Sequence, residues 1–280
     1  MKLKDKTILI TGASSGIGRA MALRAAKDKG RVILASRNKK KLDEVKGLVE
    51  DAGAEAIVIQ TDVTKDDDIK NLFLEASKKA KTLDAVFDNA GLGFIGHIYE
   101  LTYDQIHKMI DVNLTGMIMV AKYASEVMVR QKHGHIVMTS SLAGLITLPQ
   151  WSVYVATKWG ITGFADSIRF ELAPHNVRIT TLHPGAVKTG FFDKDKANID
   201  ISKMGDAVKP EVIADAVYDA LFTDKKKIVI PRLAKNYSLL FKYLPGVVQK
   251  LIEKQAKDIE YHEDVNEDEP EFSYVKCVKC

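Results

Sequence analysis

Seven short apolar runs, rich in β-branched residues, recur along the chain: TILIT (7–11), RVILA (31–35), EAIVIQ (55–60), LDAVFD (83–88), HIVMTS (135–140), VRITTLH (177–183) and KIVIP (227–231). Each is nearly continuous in hydrophobicity and bounded by polar residues or Gly, the pattern of strands buried on both faces. Between them the apolar period lengthens. Leu42, Val45, Leu48, Val49 and Ala52 keep a helical spacing, and Gly53 is placed to stop that helix. Thr64-x-x-Asp67 reads as a capping box ahead of Ile69, Leu72, Phe73 and Ala76, which fall at i, i+3, i+4 and i+7. Strands alternating with helices predict βαβ units with right-handed crossovers. The expected class is α/β: a doubly wound parallel sheet of about seven strands between two helical layers. No internal repeat is present, and the alternation stops near Pro231.

Composition narrows the class without naming a chemistry. A chain of 280 residues, 46% hydrophobic and 28% charged, is that of an ordinary globular protein. No apolar run approaches the ~20 residues of a membrane span, and MKLKDK leads straight into the first strand, leaving no room for a signal peptide. Both cysteines, Cys277 and Cys280, lie in the last four residues, so the body has no disulfide framework and a reducing, cytoplasmic setting is expected. The net charge of +4 is unevenly spread: Asp258 to Glu271 holds eight acids and no Lys or Arg, leaving residues 1–257 at +10. A basic body attracts phosphates, whether of a cofactor, a substrate or a lipid.

TGASSGIG (11–18) follows the first strand and opens the first helix. Gly12, Gly16 and Gly18 allow a sharp turn and close backbone approach. With Ser14, Ser15 and Ile17 they set a helix N-terminus, with its unpaired N–H groups, against a phosphate. The spacing is G-x-x-x-G-x-G rather than G-x-G-x-x-G. At the end of the second strand, where an acid would hold the ribose 2′-hydroxyl of NAD, the chain reads Ala35, Ser36, Arg37, Asn38 and three lysines. A guanidinium there suits a 2′-phosphate, so NADP (NADPH) is expected over NAD.

VYVATKWG (153–160) sets Tyr154 and Lys158 one helical turn apart. A phenol with a pKa near 10 shuttles protons poorly at neutral pH unless its anion is stabilised, and an ammonium one turn away supplies that stabilisation. Ser141, after the fifth strand, is placed to hydrogen-bond the same substrate oxygen; Ser140 is its near rival. Together TGASSGIG, Asn89-Ala90-Gly91, Asn113, Ser141, Tyr154-x-x-x-Lys158 and Pro184-Gly185 resemble, in order and spacing, the classical short-chain dehydrogenases/reductases over roughly residues 5–231. The resemblance implies a Rossmann-like fold, a homodimer or homotetramer, and carbonyl–alcohol chemistry. Tyr154 would be the acid/base, Lys158 would also hold the nicotinamide ribose, and Asn113 would anchor a relay water. Asp62 and Val63 would border the adenine, while Asn89, Ala90, Gly91, Pro184, Gly185, Val187 and Thr189 would line the cofactor. One position departs: the family's Asn-Asn-Ala-Gly reads Asp88-Asn89-Ala90-Gly91.

Segments expected to rim the site are apolar: Leu92 to Ile95, then Leu142, Leu145, Ile146, Leu148 and Trp151, then Phe191 and Phe192. They read equally as a pocket for a greasy carbonyl or alcohol and as packing. The stretch after Thr189, FFDKDKANIDISKM, is a candidate lid. The expected organisation is a dinucleotide-binding domain over 1–231, a basic amphipathic helical extension over 232–257 and an acidic, disordered tail over 258–280. Residues 225–257 hold nine Lys or Arg against Glu253, with stripes at Tyr237, Leu240, Phe241, Leu244 and at Val248, Leu251, Ile252, Gln255. Such a helix folds back on the domain or pairs with another subunit in the first reading; peripheral membrane contact through 235–257 is the second. Cys277-Val-Lys-Cys280 supplies too few ligands for a metal site and a poor prenylation box. No nucleic-acid motif is present. A non-catalytic dinucleotide sensor and a membrane-surface interaction protein are the rival functions on the same fold.

Overall fold

The computed structural model describes residues 2–192, 207–244, 246–248 and 250. A seven-stranded, all-parallel sheet runs in the order β3-β2-β1-β4-β5-β6-β7. The strands are β1 (Thr7–Thr11), β2 (Arg31–Ser36), β3 (Ala56–Gln60), β4 (Ala85–Asp88), β5 (Gly134–Thr139), β6 (Val177–Pro184) and β7 (Lys227–Ile230). Every apolar run named above became a strand, with ends shifted by a residue or two. Successive side chains point to opposite faces, so Ile8 and Ile10 enter one core while Leu9 enters the other.

Helices α1 (Gly16–Ala26), α2 (Lys39–Asp51) and α7 (Pro210–Ala220) cover the first face through Met21, Leu42, Val45 and Val217. Helices α3 (Asp66–Lys79), α5 (Met117–Gln131) and α6 (Ser152–Leu172) cover the second through Leu72, Phe73, Val120, Ile161 and Ala165. This is the expected three-layer Rossmann-like architecture. The chain winds outward from β1 to β3, then returns to lay β4 on the other side of β1. A crevice therefore opens over the carboxyl ends of β1 and β4, the place where such sheets bind ligands.

Two local expectations are corrected. Helix α2 ends as read, with Gly53 just beyond it at φ +74. The Thr64 capping box does not form: α3 has Lys65 at its N-cap without a side-chain bond. Asp62 captures the Thr64 hydroxyl instead, at 2.8 Å, and Asp66, Asp67 and Asp68 compensate the helix end. The box that does form lies at α4 (Tyr103–Ile110), where Thr102 and Gln105 satisfy each other's backbone N–H. Helix α4 runs into α5 through a π turn over Asp111–Gly116 that carries Asn113.

The first half of the predicted extension is helix α8 (Arg232–Tyr243), which leaves Leu239 and Tyr243 exposed; beyond it Leu244 and Val247 are exposed and Val248 is buried. The candidate lid from 193, the second stripe from 251 and the acidic tail lie outside the described residues. No helix among the described residues is long and apolar enough to cross a membrane.

Candidate active site

Every predicted site residue sits at the carboxyl edge of the sheet. The glycine loop joins β1 to α1, with Gly12 at φ +64 and Gly16 at φ +53. A side chain at Gly18 would press its Cβ within 2.3 Å of the Gly12 carbonyl oxygen, so only glycine closes this turn. Ser15 caps α1 without a side-chain hydrogen bond, and Ser14 stands beside it in the turn. The first turn of α1 is thus left without a side-chain cap, and an uncapped helix N-terminus is a ready anion site. Across the crevice, the Thr189 methyl lies 3.2 Å from where a Gly16 Cβ would be. Thr189 is held by its N–H to the Val187 carbonyl, while Val187 bridges Val208 and the Gly185 N–H reaches the Ile230 carbonyl at 2.7 Å.

The end of β2 carries two informative side chains. Ser36 Oγ is buried with no hydrogen-bond partner among the described residues. An orphaned hydroxyl at that point fits a bound ribose, which would supply the missing partner. Arg37 follows, exposed and in no ion pair among the described residues. Asp62 is turned to the Thr64 N–H and hydroxyl, and Val63 abuts the π turn, where a Gly116 Cβ would meet its carbonyl at 2.6 Å.

Thr11, which the sequence reading did not single out, ties the crevice together. Its hydroxyl accepts the Asn89 and Ala90 N–H groups at 2.8 and 3.0 Å and donates to the Asp88 carboxylate at 3.0 Å. Only the β1–β4 pairing brings these groups together, so no local pattern announces it.

Tyr154 and Lys158 share the buried face of α6, at 5% and 2% exposure. Ser141 begins the short 3-10 turn Leu142–Gly144 after β5; its Oγ accepts the Ala143 N–H at 3.1 Å and also bonds the Tyr154 phenol. The two serines point in different directions. Ser140 donates to the Lys158 carbonyl at 3.0 Å and sits 3.0 Å from Thr162 Oγ1, beneath α6 and away from the phenol. Gly144 lets turn and helix touch: a Cβ there would lie 2.3 Å from Ser140 Oγ and 2.7 Å from the Lys158 carbonyl.

The electrostatics differ from the simple expectation of a cation lowering a phenol's pKa. Burial pushes Tyr154 up to about 12, and the Ser141 hydrogen bond pulls against it. Lys158 Nζ donates to the Thr139 carbonyl at 2.9 Å and stands 5.6 Å from the phenol ring centre. Burial lowers its pKa, with Asp88 opposing. In the chain alone the phenol is therefore a neutral proton donor. Asn113 is fully buried, its amide donating to the Leu92 carbonyl at 2.7 Å and its oxygen accepting the Leu92 N–H at 2.8 Å. Gly91 leaves open a space ringed by Asn113, Phe191 and Lys158 Nζ, all within 3.8 Å of a Cβ placed there.

Of the apolar rim, Leu92, Phe94, Ile95, Leu148, Trp151 and Phe191 pack in one cluster with Tyr154. Trp151 and Phe191 stand edge-on to the phenol at 5.6 and 6.3 Å between ring centres. Leu142, Leu145 and Ile146 are not in that cluster. A cavity of about 360 Å³ at the opposite edge of the sheet, bordered by Lys6, Asp84, His133 and Arg178, includes none of these residues. No group of three or more His, Cys, Asp or Glu converges on a metal position among the described residues.

The family model described as short chain dehydrogenase matches residues 6–200. The chain belongs to the short-chain dehydrogenase family. An uncharacterised oxidoreductase of Listeria monocytogenes is 39% identical over 195 residues, spanning 69% of this chain and 79% of its own. Among solved structures, an alcohol dehydrogenase from the archaeon Thermococcus sibiricus complexed with 5-hydroxy-NADP superposes with a TM-score of 0.73 at 30% identity, over 80% of this chain and 95% of that one. A short-chain dehydrogenase/reductase from Burkholderia phymatum in complex with NAD shares the fold, with a TM-score of 0.80 at 23% identity over 86% and 94%. As a short-chain dehydrogenase, this chain is an oxidoreductase of a family that binds nicotinamide dinucleotides and works on carbonyl or alcohol groups.

Proposed function

We propose that this short-chain dehydrogenase is an NADP(H)-dependent oxidoreductase interconverting a carbonyl and a secondary alcohol on an apolar substrate. The observation that carries the reading is the convergence of a half-buried Ser141 with the buried Tyr154 and Lys158 beside the glycine-loop crevice. Bound in that crevice, the nicotinamide would exchange a hydride with the substrate carbon. The residues present suit such a group: the loop N–H groups would hold its phosphates, the orphaned Ser36 hydroxyl would take a ribose hydroxyl, and Arg37, with no acid beside it in sequence, would hold a 2′-phosphate.

Tyr154 then gives its proton to the carbonyl oxygen in reduction, or takes it back in oxidation. A phenol pushed up to about 12 is protonated at neutral pH and so holds the proton that reduction requires. Ser141 donates to the same oxygen and steadies the charge that develops on it. Lys158 offsets the phenolate left behind. Leu148, Trp151 and Phe191, packed around the phenol, exclude water and favour apolar substrate bodies.

We read the protein as a cytoplasmic homo-oligomer. For the basic extension, docking on the chain itself or another subunit is the first reading and an anionic membrane surface the second. Flotation with anionic vesicles at low salt separates them. The test of the main reading is a panel of apolar and polar carbonyls and alcohols with each cofactor. Loss of NADPH absorbance with apolar carbonyls is expected. Tight NADPH binding with no turnover across the panel would leave a non-catalytic sensor as the function.

A further inference from the structure

We propose that Asp88, standing where the family pattern has asparagine, is a positioning residue that holds Lys158 in its charged form and so extends the enzyme's working range to higher pH. The inference rests on the catalytic reading of Lys158 given above. Asp88 ends β4 with no exposed surface. One carboxylate oxygen takes the Thr11 hydroxyl at 3.0 Å; the other is buried with no hydrogen-bond partner among the described residues. An asparagine would put a neutral amide there. The carboxyl instead offers an uncompensated acceptor, costly unless a cation answers it.

Lys158 is that cation. Asp88 pairs in register with Met138, and the next residue, Thr139, supplies the carbonyl that holds Lys158 Nζ. Three residues beyond Asp88, a Cβ on Gly91 would lie 3.8 Å from the same nitrogen. Asp88 and Lys158 are thus tied to neighbouring positions at the ends of β4 and β5, and they act on each other without an ion pair. The influence is mutual: burial raises Asp88 while Lys158 lowers it, and burial lowers Lys158 while Asp88 raises it. The other titratable neighbours do not replace Asp88. Tyr154, on the same helix, is neutral, and His183 on β6 is pushed down to about 4 by burial and is also neutral near pH 7. Asp88, pushed up to about 8, and Lys158, pushed down to about 8, therefore titrate as a pair, and their attraction favours the anion–ammonium state over the neutral pair as pH rises.

The test is Asp88→Asn in the full-length protein, read two ways. With a substrate from the panel, the alkaline limb of the kcat/KM profile should move down by about one pH unit. NADPH affinity, followed by nucleotide fluorescence, should likewise weaken at lower pH than in the wild type, because Lys158 is read as holding the nicotinamide ribose. A merely structural role would lower the melting temperature and leave both pH profiles in place, and that outcome overturns the inference. Should no substrate turn over, the fluorescence titration still decides it, so failure of the catalytic reading is distinguishable. If the Asp88→Asn protein does not fold, Lys158→Met gives the reciprocal measurement. The infrared band of the protonated Asp88 carboxyl should then persist to higher pH in the cofactor-free protein; an unchanged titration overturns the inference.

Discussion

At the scale of single residues, the site is built from groups whose surroundings change their ordinary chemistry. In the proposed reading Arg37 acts through its reach and the lack of an adjacent acid in sequence. Replacing it with Ala should weaken NADPH binding by about ten-fold or more, the worth of a charge-assisted contact, and leave NADH nearly unaffected. Paired KM measurements for the two cofactors check this, and an unchanged ratio would remove Arg37 from the 2′-phosphate. Ser141, Tyr154 and Lys158 were singled out because their spacing matched a known pattern, and the fold brings them together. The choice between Ser140 and Ser141 rested on that spacing alone, and the structure supplies the physical reason, since one hydroxyl faces the phenol and the other lies under α6. Thr11 was not legible: a threonine at a strand end looks ordinary until β1 and β4 pair. The balance on Tyr154 was hidden too, because burial outweighs what helical spacing suggests about a neighbouring cation.

At the scale of elements, the contact of the 3-10 turn with α6 fixes the distance between Ser141 and Tyr154. Gly144 makes that contact possible. Gly144→Ala must push the turn away from Ser140, Lys158 and Thr162. The expected cost is about 1–3 kcal/mol of stability, with a further loss of kcat as Ser141 moves from the phenol. Thermal melts and kinetics on the same preparation check it, and wild-type values in both would show that the turn is not positioned by this contact. The strands were readable because continuous apolar runs of this length have few other uses. Helix starts were less so, since Thr-x-x-Asp and Thr-x-x-Gln look alike as caps. Asp62 decides the first case by capturing the Thr64 hydroxyl, whereas the Thr102 hydroxyl takes the Gln105 N–H.

At the scale of the molecule, buried titratable groups set the pH range of the fold. His135 and His183 lie within the sheet, where burial lowers them from 6.5 to about 3 and about 4. A folded-state pKa below the unfolded value gives stability that is present above pH 6.5 and drains away as pH falls toward the folded value. Each should cost roughly 3 kcal/mol by about pH 4. The melting temperature should therefore fall between about pH 6.5 and 4. His135→Gln, which keeps a polar atom for Thr180 but cannot charge, should flatten that slope; an equally steep slope would exclude His135 as its source. Strand order lay beyond the hydrophobic pattern itself, which gives the elements but not their neighbours. The order β3-β2-β1-β4-β5-β6-β7 is set by long-range pairing such as β1 with β4, which no local pattern announces.

The account depends on the Tyr154 oxygen as the site of proton exchange. Its most direct test is Tyr154→Phe, with NADPH affinity and kcat measured on the same protein against the best substrate of the panel. The predicted result is wild-type cofactor affinity with kcat reduced by about a hundred- to ten-thousand-fold. Turnover within a few-fold of the wild type would place the proton donor elsewhere and contradict the mechanism.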